Sequence, residues 1–284
     1  MGRGRPVLAA EAPHALVADK SAHYRLRYFS LTSADGARTY QIGVAIPRSP
    51  PPADGYGVLY MLDGDAALAR LDEAMLETVA SGNPPVIVAV GYAGDRAFNV
   101  MARALDYTPP AGDHRLLFDP AGRPGGGADV FLDLLEKQIR PAVAELAPLD
   151  PNRQAFWGHS YGGLCVLYAA LTRPQTFNEY FAASPSLWWN HGLVLESLPG
   201  FLDGGGLGAR RLTLMVGGEE VAVRPGQEGR GMRASVPASE VRVLAGRLEA
   251  SGARALYREF PGAGHGAMLE ASLRHTLLSL AGEQ

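Results

Sequence analysis

The sequence has almost no cysteine and almost no lysine. Cys165 stands alone among 284 residues, which excludes an intrachain disulfide and any zinc site built on several thiolates. It lies in the apolar helical run Leu164 to Leu171, the setting of a core residue rather than of a reactive thiol. Lys20 and Lys137 are the only lysines, so the basic side is nearly all arginine. Arginine suits planar, bidentate contact with anions, and a compositional bias explains the same fact. Positive charge is not in excess either: the net charge is −3, which gives no reason to expect a nucleic acid partner. Long hydrophobic runs are missing too. No stretch approaches the ~20 apolar residues that cross a bilayer, so no membrane partner is expected. Pro6 to Ala10, although preceded by Arg3 and Arg5, is too short for the apolar centre of an export signal. The expectation is a cytoplasmic protein, or a periplasmic one whose signal has been removed.

What is present is ample core material, with 47% hydrophobic and 19% charged residues. That suits one domain over residues 1–284, with an arm over 1–22. Alternating runs at Tyr24–Leu31 and Thr39–Pro47 predict a hairpin around Ala34-Asp35-Gly36. Continuous apolar runs at Gly57–Leu62 and Pro85–Val90 predict strands buried on both faces. Further strands are expected at Gln154–Gly158, Tyr180–Ala183, Leu212–Val216 and Ala255–Phe260. Helical spacing marks Asp65–Ala80, Asp129–Leu146, Tyr161–Thr172, Ala238–Ala250 and Ala267–Leu280. Strands alternating with helices predict an α/β fold, a mostly parallel central sheet with helices on both faces. Between Gly91 and Gly127 the periodicity fails and Gly, Pro and Asp accumulate, as in a long loop over a site.

The chemistry begins at Gly158-His159-Ser160-Tyr161-Gly162, a Gly-x-Ser-x-Gly motif between a predicted strand and a predicted helix. A serine on such a turn points its hydroxyl away from the sheet, and the Tyr161 backbone N–H, opening the helix, can donate to a developing oxyanion. The base must follow the serine in the chain. His265, in Pro261-Gly262-Ala263-Gly264-His265-Gly266, lies in a loop between the last strand and the last helix, where open α/β sheets place their sites. His159 reads as a packing or hydrogen-bonding residue. An acid should follow Leu212–Val216, where Glu219 and Glu220 both stand. Loop register favours Glu220, and a Ser-His dyad without either is the alternative. The second oxyanion donor should come from the loop after the first buried strand, Leu62-Asp63-Gly64-Asp65, through the Asp65 N–H.

Several segments together carry a resemblance: Val58-Leu59-Tyr60-Met61-Leu62-Asp63-Gly64-Asp65, Arg103-Ala104-Leu105-Asp106-Tyr107-Thr108-Pro109, Trp157 through Gly163, Ala183-Ser184-Pro185-Ser186-Leu187-Trp188-Trp189-Asn190, and Phe260 through Met268. In these the chain resembles the esterase branch of the α/β hydrolases, specifically the bacterial enterobactin (catecholate siderophore) esterases, over about residues 25 to 280. The resemblance implies an α/β-hydrolase fold and hydrolysis of the ester bonds of a tri-serine lactone bearing catecholates, with or without iron. It implies Ser160 as nucleophile and His265 as base, with dyads in some members and an acid in the Gly-x-x-Glu loop of others. It makes Arg103 a candidate contact to an anionic ligand. Trp188 and Trp189 either stack on catechol rings or bury against the core. The small-molecule ester is the one partner expected. No cofactor and no catalytic metal are implied, since any iron belongs to the substrate. The competing functions are a general carboxylesterase of small acyl esters and a siderophore-binding protein without catalysis.

Overall fold

A computed structural model of the protein describes residues 7–9, 20–94, 96–113, 115–222 and 231–282. Within them the chain runs β1 (Val7–Ala9), β2 (Tyr24–Thr32), β3 (Thr39–Pro47), β4 (Tyr56–Leu62), α1 (Gly64–Leu68), α2 (Glu73–Ser81), β5 (Val86–Tyr92), α3 (Val100–Asp106), β6 (Leu117–Phe118), β7 (Pro124–Gly125), α4 (Ala128–Leu134), α5 (Arg140–Ala144), β8 (Leu149–His159), α6 (Tyr161–Thr172), β9 (Glu179–Ala183), α7 (Leu198–Asp203), β10 (Arg211–Gly217), α8 (Gly218–Val221), α9 (Glu240–Ala250), β11 (Arg254–Phe260) and α10 (Met268–Ala281). It divides into two compact units, residues 1–102, 133–154 and 274–284 in one and residues 103–132 and 155–273 in the other.

In the first unit β2 and β3 form the expected antiparallel pair, Tyr24 facing Pro47 and Thr32 facing Thr39. β3 pairs antiparallel with β5, and β5 pairs parallel with β4. β4 and β5 are buried along their whole length, as strands covered on both faces must be. Part of the expected arm is a strand instead: β1 pairs with β2, Val7 facing Ser30. Residues 1–6 and 10–19 of that arm lie outside the described residues. The helix expected over Asp65–Ala80 is two helices, because the Asp72 side chain accepts the Met75 N–H at 2.7 Å and caps α2 afresh. The helix expected over Asp129–Leu146 is interrupted by a π turn at Leu135–Ile139. Pro141 explains it: proline offers no N–H to the carbonyl one turn back, so the ladder slips before α5.

The second unit holds the sheet that matters for chemistry. β8, β9, β10 and β11 are parallel neighbours, with Ala155 opposite Glu179, Met215 opposite Ala183, and Gly217 opposite Phe260. Four strands therefore end together, and the segments after them begin at Ser160, Ser184, Gly218 and Pro261. The carboxyl edge of parallel strands is where such sheets gather functional groups. α6, buried on every side, packs against β9. The stretch expected as a loop over 91–127 contains α3 and the β6–β7 hairpin, closed by Asp119, whose carboxylate accepts the Ala121 and Arg123 N–H groups.

Candidate active site

Ser160 occupies the step from β8 into α6 with φ 62° and ψ −115°, a backbone conformation that a non-glycine residue adopts only under constraint. The constraint is visible. Its N–H donates to the Ala183 carbonyl at 2.9 Å, and its own carbonyl accepts the Leu164 N–H at 2.9 Å. The turn is tight enough that a Cβ at position 158 would strike the Gly162 backbone, which accounts for that glycine. Tyr161 is the first residue of α6, so its N–H has no acceptor one turn back within the helix.

His265 meets this serine: its Nε2 lies 3.0 Å from Ser160 Oγ. Its Nδ1 lies 2.6 Å from Glu220 Oε2. Since an ionised carboxylate only accepts, Nδ1 carries the proton and Nε2 faces the serine as a bare lone pair. Glu220 is held in turn. Its Oε1 accepts the Ser184 hydroxyl at 2.6 Å and the Gly217 N–H at 2.9 Å. Burial alone would raise the Glu220 pKa, but the hydrogen bonds from His265 and Ser184, the His265 charge and the Gly217 amide outweigh it and hold the carboxyl below its ordinary value. Between the two glutamates that the sequence leaves open, the structure brings Glu220 to His265, while Glu219 is exposed. Gly217 permits this approach, because a Cβ there would run into the Ala263 carbonyl of the histidine's loop.

His159 is buried beside the pair. Its Nε2 lies 2.8 Å from the His265 carbonyl oxygen, and its ring centroid is 4.7 Å from the His265 ring. A carbonyl cannot donate, so this nitrogen is the protonated one. Burial, reinforced by the charge of His265, depresses the His159 pKa to about 3. Ser186 reaches the serine from the other side, Oγ to Oγ at 3.4 Å, a long contact.

Arg103 lies on α3, not on a loop, and its guanidinium carbon is 5.4 Å from the Tyr161 ring centre and 5.7 Å from that of Tyr107. The Tyr161 hydroxyl donates to Asp119, which is bridged to Arg123 at 2.6 Å. Burial pushes the Tyr161 pKa up to about 12, with the Asp119 charge acting in the same direction. The two tryptophans part company. Trp189 is fully buried and donates Nε1–H to the Pro109 carbonyl at 3.2 Å, so it offers no face to a ligand and packs the core instead. Trp188 is half-buried and lines a cavity of about 250 Å³ with Pro185, Leu187, Val216 and Val241, reaching Glu220 and His265. The Arg233 guanidinium covers the Trp188 ring at 4.5 Å. Asp65 lies in the other unit, in the first turn of α1 behind Asp63, whose φ is 52°.

Sequence reasoning did not single out Ser184, Ser186, Asp119 or Arg233. Ser184 and Ser186 stand in the quoted Ala183-Ser184-Pro185-Ser186 segment, yet only the pairing of β9 beside β8 shows that they flank the serine. For Arg233 the sequence carries no signal.

The chain is similar to known proteins over most of its length. The family described as "Putative esterase" matches residues 33–273. The apo-salmochelin esterase of Escherichia coli O6:H1 is 37% identical over 270 residues, covering 94% of this chain and 83% of that protein. The ferri-bacillibactin esterase BesA of Bacillus subtilis is 31% identical over 243 residues, covering 83% and 82%. Among solved structures, the enterobactin hydrolase IroE in complex with DFP superposes with a TM-score of 0.78 at 36% identity, covering 94% of this chain and 99% of that one. The elbow after β8, the order of the parallel strands and a family match across most of the chain converge: the protein belongs to this esterase family and is an ester hydrolase of the α/β-hydrolase fold.

Proposed function

We propose that the protein hydrolyses ester bonds of a catecholate siderophore trilactone, with Ser160 as nucleophile, His265 as general base and acid, and Glu220 as the carboxylate that orients it. The observation that carries the catalytic reading is the single imidazole shared between Ser160 Oγ at 3.0 Å and Glu220 Oε2 at 2.6 Å. Ser160 Oγ adds to the ester carbonyl carbon as its proton passes to His265 Nε2. The oxyanion accepts from the Tyr161 N–H, and the Asp65 N–H is the proposed second donor on chain order alone. Collapse breaks the acyl carbon–alkoxy bond, and the departing alkoxide takes the proton from His265. Water, deprotonated by the same nitrogen, then attacks the acyl-serine and releases the acid. Glu220 steadies the imidazolium that forms twice in each cycle without taking its proton.

The substrate class rests on relatives that are siderophore esterases by name and on the groups around the serine. The Trp188 ring under Arg233 and the cavity beside His265 suit an aromatic arm that carries negative charge. The test compares kcat/KM on apo- and ferric enterobactin with that on a short p-nitrophenyl ester, using the unmodified protein and Ser160→Ala. Ser160→Ala should stay folded and lose on the order of 10⁴-fold in kcat on every substrate. A fluorophosphonate should label Ser160 and no other serine. Absence of turnover of both trilactone forms, with the short ester still cleaved, would leave a general carboxylesterase.

A further inference from the structure

The base is carried by a glycine-rich loop. Residues Pro261 to Gly266 include three glycines, Gly262 has φ 71°, and the His265 side chain is half exposed. Yet Nε2 must stand within hydrogen-bond reach of one oxygen through every cycle, since catalytic groups displaced by about 1 Å lose on the order of 100-fold in rate. The loop's backbone is tied to the β10 side by the Glu219 N–H, which donates to the Ala263 carbonyl at 3.1 Å. A second tie comes from the nucleophile's own strand. His159, the residue before Ser160, is buried and donates Nε2–H to the carbonyl of His265 itself at 2.8 Å.

We propose that His159 is a positioning residue that clamps the main chain of His265 to the end of β8 and so sets the Ser160–His265 distance; this rests on the serine reading above. Nucleophile and base are thereby referenced to adjacent residues, His159 at the end of β8 and Ser160 at the step into α6. The chemistry of the clamp fits its neighbour. Its ring lies 4.7 Å from the ring that becomes imidazolium during turnover, so a cation at position 159 would oppose that charge. A lysine or arginine would supply the donor but also the charge. An imidazole kept neutral by burial supplies the donor alone. Geometry alone already demands the Nε2–H form, since the acceptor is a carbonyl.

The experiment uses the full chain with His159→Gln, whose amide nitrogen reaches about where Nε2 stands, and His159→Leu, which fills similar space without a donor. Steady-state kinetics on a short p-nitrophenyl ester and the rate of fluorophosphonate reaction with Ser160 are measured beside the melting temperature. His159→Leu should lose roughly 10–100-fold in kcat and in phosphonylation rate with KM within about twofold. His159→Gln should recover most of both. Wild-type rates in His159→Leu would overturn the clamp, and so would a His159→Gln as slow as His159→Leu, since the ring's bulk would then be what matters. Should His159→Leu fail to fold, His159→Asn replaces it, because its shorter amide stops near the Nδ1 position. Equal phosphonylation rates in the Asn and Gln variants would again overturn the proposal. Failure of the serine reading itself shows differently, as undiminished activity in Ser160→Ala.

Discussion

Glu220 makes three hydrogen bonds with two oxygens, and each has a separate consequence. Oε2 fixes the His265 tautomer. Oε1, bound to Ser184 and the Gly217 amide, prevents the carboxylate from rotating away. The Glu220 side chain is 12% exposed against 50% for His265, so the carboxylate is sheltered and the imidazole open to solvent. Glu220→Gln keeps the shape but replaces the acceptor with an amide that can present N–H to Nδ1, which favours the wrong tautomer. We expect a kcat loss of about 10³–10⁴-fold with KM nearly unchanged, and no more than about twofold for Glu219→Gln. Steady-state kinetics on both single variants and on the double variant decides the matter: a loss confined to Glu219→Gln would move the acid to that position, and near-normal rates in all three would establish a Ser-His dyad. Ser184→Ala removes one of the two restraints on Oε1, so its effect should lie between those of the two glutamate variants.

At the scale of elements, two cations face the site from different supports. Arg103 is carried by α3 over Tyr161, and Arg233 by the 3₁₀ turn Gly231–Ala234 over Trp188. A rim charge acts chiefly on encounter and is weakened by salt, because the Debye length falls to ~3 Å at 1 M. Arg103→Ala and Arg233→Ala should each lower kcat/KM on the charged trilactone, by about tenfold for half-buried Arg103 and about 2–5-fold for exposed Arg233, in keeping with the ~0.5–1 kcal/mol of exposed cation–π contacts. On a neutral short ester the losses should be smaller, and raising ionic strength should shrink the difference between substrates. Equal losses on both substrates at every salt concentration would mark these arginines as structural. The elements themselves were unevenly legible. α6 begins at Tyr161 and ends at Thr172 as its pattern predicts, because the elbow fixes its start. α3 was hidden, since seven helical residues between glycine- and proline-rich segments leave too short a period to detect. The π turn before Pro141 and the break capped by Asp72 each had a local signal in the sequence, outvoted by the apolar spacing around them. Motif and chain order pointed to Ser160 and His265, whose side chains the structure brings together, whereas the Glu220–Ser184 bond arises only when strands distant in sequence end side by side, and Arg233 reaches Trp188 from a turn that carries no motif.

For the whole molecule, the buried groups of the site add to the loss of stability in acid. His159 has its pKa depressed from 6.5 to about 3, by burial first and by the His265 charge second, while the facing Glu220 acts the other way and Arg103 adds to the depression. The unfolded chain takes up a proton at this position below pH 6.5, and the folded chain does not until near pH 3. Stability supported by the neutral ring is therefore complete above pH 6.5 and falls as the pH drops from 6.5 toward 3, at up to about 1.4 kcal/mol per pH unit. Glu220 and Asp119, both held below their ordinary values, add losses of the same sign that begin only near pH 4.5 and 3.8. For Asp119, burial works against the depression, and the Arg123 and Ala121 hydrogen bonds outweigh it. Two regimes follow: a histidine-driven decline from pH 6.5 to about 4.5, and a steeper one beneath it. Urea unfolding at half-unit steps from pH 7.5 to 4.5 should show the first regime in the unmodified protein. The same series in His159→Gln should be flatter by about 2 kcal/mol between pH 6.5 and 5, since glutamine has no proton to gain. Parallel curves for the two proteins would mean that the ring is protonated in the folded state at mildly acidic pH, and hence that its bond to the His265 carbonyl is held by an imidazolium rather than by a neutral donor.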